Sequence, residues 1–598
     1  MSKPKDNEFE TYYIPPNFIE GSTLFGGLFK LRNAIEAGIL AVGAGLPVFL
    51  LDIPLTTRII ILCLTALPLG LLGLFGVSGE CLSSFIFAFF KWIKNRRVVG
   101  IVPEKETPAK KVKKEKPERK AAREEKKGED KEPSMMAEIL GVIRKRSAKK
   151  EKPAPEAKEE KPRKQKQREE KPRPRRQQAG TDFLNPAAAY LPIDKIENGI
   201  IYTKDHRYIK VIEVVPINFL LRSAREQRSI IYSFISYLKI SPVKIQFKVL
   251  TKRADINKHT EIVKQEMERE TDPHCRMLQE DYLKLVGRIG SREATTRRFF
   301  IAFEYEAFGR RGGDEEADAV SSLQVAARTA VNYLKQCGNE VLMPENEDEF
   351  TVDVLYNILC RQESSDVPLS SRVEEVVSRY VEQGKSTDAI PCTEFFAPKT
   401  IDFTHAKYLC IDGLYHSYLL IPSDGYKSRV AAGWLSLLVN AGDGIDIDLF
   451  LAKQPKERMV HKLGQQLRIN RSKIKEASDT NTDFDDLDGA IRSGYFLKDG
   501  LANNEDFYYM NLLITITAET PEDLEWRERE MRKLLVSQDL NVCACPFREE
   551  QAFLSALPLT SLEKHLFGRS KRNVLTAGAA SCYPFTAFEL CDDNGILL

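Results

Sequence analysis

The residues best placed to do chemistry begin with Gly384-Lys385-Ser386-Thr387. This is the closing half of a phosphate-binding loop, in which glycine backbone cradles phosphates, Lys reaches the terminal phosphates and Ser/Thr holds magnesium. Such a loop needs a glycine where this chain has Arg379, and a strand where Val373 to Val381 reads as helix. A turn between helix and loop is expected instead. Asp483, Asp485, Asp486 and Asp488 resemble a calcium loop but lack the ligand order and closing Glu of an EF-hand. They are expected in a solvated loop capping a helix from Leu487. Asp443, Asp446 and Asp448 come next, with Asp446 and Asp448 on one face of a strand; a solvent face is expected rather than a metal site. Ser, His and Asp occur without the strand–turn–helix context of a hydrolase nucleophile. No catalytic, cofactor-binding or metal-ligating residue is therefore assigned, no cofactor is expected, and the chain as given is expected not to be an enzyme.

The 11 cysteines are dispersed, with Cys543 and Cys545 the one close pair. That is neither a disulfide framework nor a metal spacing, so buried, reduced thiols in a cytoplasmic compartment are expected. At 598 residues the chain exceeds one domain. Its net charge of +3 hides an asymmetry: residues 101–180 hold 28 Lys/Arg against 16 Asp/Glu, a local +12 that leaves −9 for the rest.

Two apolar runs stand near the N-terminus. Ile59 to Val77 has no charge over 19 residues, enough to cross a bilayer core. Ala37 to Leu51 is shorter and spans only if Ala34 and Ile35 are recruited. Asp52 and Pro54 form the turn, and Gly43, Gly45, Gly70 and Gly73 would let the helices approach closely. A secretory signal is disfavoured by a charged N-terminal region about 35 residues long, and a buried soluble hairpin is the other alternative. Lys30 and Arg32 before the hairpin, and Lys91, Lys94, Arg96 and Arg97 after it, are the membrane-flanking charges. They predict a multi-pass protein of the cell membrane with both termini cytoplasmic. Leu82 to Ile93, with five aromatic residues, is expected to lie along the inner interface.

Ahead of the hairpin, Thr11-Tyr12-Tyr13-Ile14-Pro15-Pro16-Asn17-Phe18, then Gly26-Gly27-Leu28-Phe29 and Arg32-Asn33, resemble the PrgI family of mobile-element membrane proteins. These are similar to the small third VirB component of type IV secretion machines. The resemblance covers about residues 8–100.

From Val102 to Gln178 the composition is Lys, Glu, Arg, Pro and Ala, which buries too little apolar surface to offset chain entropy; disorder is expected. Met135 to Arg146 is an amphipathic patch, read as a transient helix or a docking segment. The basic excess favours anionic lipid. Interspersed Glu and the lack of aromatics argue against direct nucleic-acid binding.

From Ile193 strands and helices alternate. Gly199 to Tyr202, Tyr208 to Val214, a helix over Ser223 to Leu238, Val243 to Leu250, a helical stretch from Asp255 to Val286, Arg298 to Tyr305 and a helix over Asp318 to Gln336 follow a split βαβ order. A second set repeats it: Tyr408 to Ile411, Tyr415 to Ile421, a helix over Ser428 to Leu438, Ile445 to Leu451, a helix over Pro455 to Ala477, Asp506 to Thr517, a helix over Pro521 to Gln538, and Asn541 to Pro546. The fold class is α+β: a two-helix membrane hairpin, a disordered charged linker, then two ferredoxin-like units with a helical insertion. The expected segments are 1–33 cytoplasmic, 34–100 hairpin and interfacial helix, 101–180 linker, 181–338 first unit, 339–398 insertion and 399–598 second unit.

Glu197 to Ile201, Val211 to Val214, Leu524 to Leu535, Phe547 to Gln551, Leu557-Pro558-Leu559 and Phe585 to Leu598 resemble, in linear order, the N-terminal body of the type IV secretion ATPase, the fourth VirB component and its TraC-like conjugation relatives. That resemblance implies that an ATPase domain normally follows. It is expected either from a separately encoded protein in trans or as the lost part of an interrupted fragment. The expected function is a membrane-anchored subunit of a conjugative type IV secretion system. It would scaffold the transfer ATPase at the inner membrane face, with membrane lipid through residues 34–100, channel subunits and further copies of itself as partners. The alternatives are a truncated, non-functional remnant of such an ATPase and a membrane-tethered nucleic-acid-binding adaptor.

Overall fold

The computed structural model describes residues 11–16, 23–24, 29–50, 54–77, 80–101, 183–253, 257–292, 295–305, 315–387, 390–476 and 482–588. The charged stretch 101–180, with its patch Met135 to Arg146, lies outside them apart from Ile101. Residues 1–102 and 181–598 form one compact unit.

Strand β1 (Thr11–Tyr13) precedes helices α1 (Leu31–Leu50) and α2 (Leu55–Phe75). Both helices are long and apolar enough to cross a membrane. The first starts at Leu31, so it includes Ala34 and Ile35, which a span from Ala37 would need. Small residues set their spacing: a Cβ on Gly73 would lie 2.9 Å from the Ala37 Cα, and those on Gly45 and Gly70 would touch Leu62 and Ala41. Gly43 has no such neighbour. Helix α3 (Leu82–Asn95) and strand β2 (Val98–Gly100) follow.

In the first unit, β3 (Ile193–Glu197) and β4 (Ile200–Thr203) form a hairpin through Asn198 and Gly199, at φ 56° and 66°; Asn-Gly is the pair that tolerates two left-handed positions. Next come β5 (Tyr208–Val215), α4 (Ala224–Ile240), β6 (Lys244–Arg253), α5 (Asn257–Arg269), α6 (Pro273–Arg292), β7 (Thr295–Glu304), α7 (Glu315–Gln336) and β8 (Glu340–Val341). A reciprocal Ser223–Glu226 capping box starts α4. Pro273 opens α6 and divides the expected helical stretch in two, because proline has no N–H to continue α5. The strands pair β8-β5-β7-β6, all antiparallel, the ferredoxin-like order.

Residues 339–398 hold α8 (Glu347–Leu359), α9 (Leu369–Glu382) and two one-turn helices. The second unit then comprises β9 (Thr400–Asp402), β10 (Leu409–Ile411), β11 (Leu414–Leu420), β12 (Arg429–Ala431), β13 (Ile445–Gln454), α10 (Lys456–Glu476), α11 (Thr482–Ala502), β14 (Phe507–Ala518), α12 (Pro521–Ser537) and β15 (Cys543–Ala544). Its pairing β15-β11-β14-β13 repeats the first unit's order. Each unit inserts a helical pair, α5–α6 or α10–α11, between its second and third strands. Helices α13 (Glu549–Ala556) and α14 (Lys564–Ser570), strand β16 (Arg572–Leu575) and helix α15 (Thr576–Ala580) follow.

The expected helix over Ser428 to Leu438 is not formed. Residues 429–431 are the strand β12, paired with β1 from the N-terminus, and Gly433 sits at φ 68° with Phe219 where a Cβ would be. Backbone captured by a partner strand and broken by a left-handed glycine cannot wind into a helix; one turn, Ser436–Val439, is left. This N-terminal strand is anchored by Ile14, fully buried in the main core, whose carbonyl accepts from Arg572 at 3.1 Å. Ile14→Ala is expected to cost about 2–4 kcal/mol through lost burial and the cavity left. Hydrogen exchange should show Tyr12, Tyr13 and Val430 losing protection while β13 and β14 keep theirs.

The units join edge to edge, β6 antiparallel to β13, in one sheet ordered β2-β9-β10-β11-β14-β13-β6-β7-β5-β4-β3. Alternate residues fill two cores. Phe247, Phe299 and Ile301 pack under α4 and α7, while Leu250, Phe300 and Ala302 face α8 and α13. Phe585 returns to the first core against Phe234, Phe247 and Phe299.

Candidate functional site

Two polar assemblies organise the molecule. One is the seam between the units, the other the joint between the N-terminal helices and the body.

Asp446 and Asp448 do not face solvent, contrary to the strand-face expectation. They lie on β13, which the β6 pairing makes a central strand. Asp448 accepts from Lys248 Nζ at 3.0 and 3.1 Å and from Gln246 Nε2 at 2.8 Å. Lys248 also donates to the Ala556 carbonyl at 2.9 Å, and Gln246 accepts the Thr560 N–H at 2.8 Å. Lys248 is 2 % exposed and Asp448 0 %. Asp446 takes both terminal nitrogens of Arg361 at 2.7 and 2.8 Å and the Thr251 N–H at 2.8 Å. Burial raises the Asp448 carboxyl to about 6, against the opposing pull of Lys248. The carboxylates are occupied by protein donors, so they bind the units to each other.

His416, buried beside this seam, is held down to about 3 by desolvation and then by the Arg361 charge. A depressed base keeps its contribution above the unfolded value, about 6.5, and loses it as pH falls towards the folded one. The wild-type chain should therefore lose stability between pH 6.5 and 4 more steeply than His416→Leu, read as melting temperature against pH.

At the joint, Glu80 lies between α2 and α3. It accepts from Arg548 Nε at 3.1 Å and an Arg548 terminal nitrogen at 2.8 Å, pairs with Arg569 at 2.7 Å, and accepts from the Ser84 hydroxyl at 3.0 Å. Desolvation pushes its carboxyl up, but the Arg548 hydrogen bond and the Arg569 and Arg548 charges outweigh it and hold the carboxyl below its usual value. Along α3, Phe85, Phe89 and Trp92 pack on Phe547 with ring centroids 5.2–5.4 Å apart. The Trp92 indole donates to the His405 carbonyl at 3.2 Å. Strand β2 then pairs with β9. The other side of α3 leaves Ile86, Phe87, Phe90 and Ile93 exposed.

The predicted membrane-flanking charges separate here. Lys91 and Lys94 are exposed on α3. Arg96 stands over the Trp92 ring at 5.5 Å. Arg97 turns into the body instead, 2.7 Å from Glu550 and over the rings of Tyr190 and Phe403. Arg32 is 3.9 Å from Glu36. Lys30 is on a short strand, its side chain outside the described residues.

Gly384, at φ 66°, closes α9: its N–H meets the Val381 carbonyl and that of Lys385 the Tyr380 carbonyl. Asp483 to Asp488 are not in a loop, because α11 already begins at Thr482. Asp488 pairs with Arg492 at 2.6 Å on that helix; the side chains of Asp483, Asp485 and Asp486 lie outside the described residues. Asp443 receives Arg527 at its carbonyl and carboxylate. The ten described cysteines are free, with Cys63 and Cys275 exposed rather than buried. Sequence reasoning missed Glu80, Arg548 and Arg569; the one available signal was a lone acid between two apolar runs.

The archaeal TraC-like domain family matches residues 194–326, which run from β3 into α7. No curated protein matches the chain. The matched unit relates the chain to conjugation and type IV secretion.

Proposed function

We propose that the chain is a membrane-anchored subunit of a conjugative type IV secretion system that holds a transfer ATPase at the inner membrane face. The observation that carries this is helix α3. One face is bonded to the body through Glu80, Phe547 and Trp92, while Ile86, Phe87, Phe90 and Ile93 stand exposed beside two apolar helices. A helix with one side on protein and an apolar side free, next to two spans, suits the headgroup boundary. With α1 and α2 across the bilayer, Lys91 and Lys94 sit at the cytoplasmic headgroups and both termini are cytoplasmic. The TraC-like match over residues 194–326 supports this reading, in which residues 8–100 are a PrgI-like hairpin and the body docks the ATPase domain of the same machinery.

Flotation of the full chain with anionic vesicles, followed by carbonate extraction, tests the anchor. Retention in the pellet is expected; release would remove it. Co-purification of an ATPase from the same element is expected, and ATP hydrolysis by the isolated chain would overturn the division of labour.

A further inference from the structure

Strand β5 is covered unevenly along its outer edge. Strand β4 pairs with its residues 208–210 and β8 with 214–215, and the Leu342 N–H reaches the Glu213 carbonyl at 3.0 Å. Val211 and Ile212, between them, pair with no strand on that side. A cavity of about 150 Å³ lies there, walled by β5, α7, α8 and residues 342–344. Protein interiors leave few voids larger than a water molecule, so an opening of this size calls for an occupant. Helix α7 turns Gln324, Ala327, Arg328 and Val331 towards it, the i, i+3, i+4 and i+7 positions of one helical face. With Val211, Ile212, Leu342 and Phe350 the rest of the wall is mainly apolar.

Two charges in the wall answer each other: Lys210, 4 % exposed, is 2.9 Å from Glu347. Gly199, at φ 66°, makes room for that pair, since a Cβ there would come 2.7 Å from the Glu347 Cβ and 3.2 Å from Lys210 Nζ. Glu345, Asp348 and Glu349 stand outside the wall, and Asp348 accepts from the Gly199 N–H at 2.6 Å. Arg328 is the charge left over. It is exposed at the mouth and has no acidic partner among the described residues. Met343, also on the wall, is 69 % exposed.

We propose that this cavity binds an apolar group of about six non-hydrogen atoms, a ring or a branched chain, carrying a carboxylate that Arg328 receives. An apolar cavity of about 150 Å³ accommodates a benzene ring, and a guanidinium matches a carboxylate with two parallel N–H donors. A small aromatic acid presents that combination, and so does the last residue of a peptide with an apolar side chain. Either would bridge β5, α7 and α8 at the open edge of the first unit. This inference does not depend on the secretion role.

Ligand-observed NMR on the full chain in detergent micelles tests it. The probes are phenylacetate and a tripeptide ending in Phe, free or amidated at its C-terminus. Phenylacetate is expected to bind with a Kd of about 1 mM or tighter, within what about ten non-hydrogen atoms can supply. Benzyl alcohol, which keeps the ring and lacks the charge, should bind about tenfold more weakly. Arg328→Gln should erase that difference and leave the circular dichroism unchanged, because the side chain is exposed. Val331→Phe fills the cavity and should abolish binding of both. A free-acid tripeptide that binds more tightly than phenylacetate, with its amide weaker, makes the source a chain terminus; the reverse order makes it a small acid. Saturation transfer to wild type no greater than to Val331→Phe would overturn the proposal. So would a preference for phenylacetate over benzyl alcohol that Arg328→Gln leaves untouched.

Discussion

Lys248→Met should lower the stability of the body by about 3–5 kcal/mol, because removing one partner of a buried pair leaves the other charge uncompensated. Asp448 would keep Gln246 but lose both contacts from Lys248, and the Ala556 carbonyl would lose its donor. The double variant Lys248→Met/Asp448→Leu should recover much of the loss, since an apolar pair of similar volume removes the desolvation cost altogether. Differential scanning fluorimetry on the purified chain separates the cases, and a single variant melting within about a degree of wild type would contradict the assignment. The pH dependence adds a sign. The Asp448 carboxyl is raised to about 6, so its contribution is fully present below the unfolded value, about 3.9, and is lost as pH rises through 6. Lys248→Met removes the one cation bonded to Asp448, so its loss of stability should be larger at pH 7.5 than at pH 5.

Glu80→Ala should have a comparable effect, about 3–5 kcal/mol, but confined to the joint. It would leave Arg548 and Arg569 facing each other without the carboxylate that both contact. Helix α3 would then be held by the Phe547 and Trp92 contacts, the Arg548–Ser84 hydrogen bond and strand β2. Faster hydrogen exchange through α3 and proteolytic cleavage between α3 and the body are expected, with β6 and β13 as protected as before. Because the Glu80 carboxyl is held below its ordinary value, the joint should be firm at neutral pH and loosen as pH falls through that range. An α3 as protected as in wild type would show that the aromatic contacts suffice and that Glu80 is dispensable.

Local patterns carried much of this fold in the sequence. The two ferredoxin-like orders, the α12 start at Pro521 and the apolar pair of helices all follow from spacing and from cap residues. What failed depended on distant partners. Asp446 and Asp448 alternate with apolar residues as on a half-exposed strand; their burial comes from β6, about 200 residues earlier. No local pattern records that pairing. The helix expected over Ser428 to Leu438 lost its backbone to β1, more than 400 residues upstream. Glu80 could not be weighed without Arg548 and Arg569, which belong to the far end of the chain. Arg97 looked like any other basic residue after a span until Glu550 and Tyr190 were seen beside it.

Strand β2 ties the N-terminal helices to the body before the charged stretch begins. The chain leaves the body at Ile101, just past the β2–β9 rungs, and re-enters it at Phe183. Arg97 and Tyr190, close to those two points, are in contact. The described chain on either side of residues 102–182 thus ends on one compact unit, and the N-terminal helices are tied to the body by strand β2 rather than only through that segment.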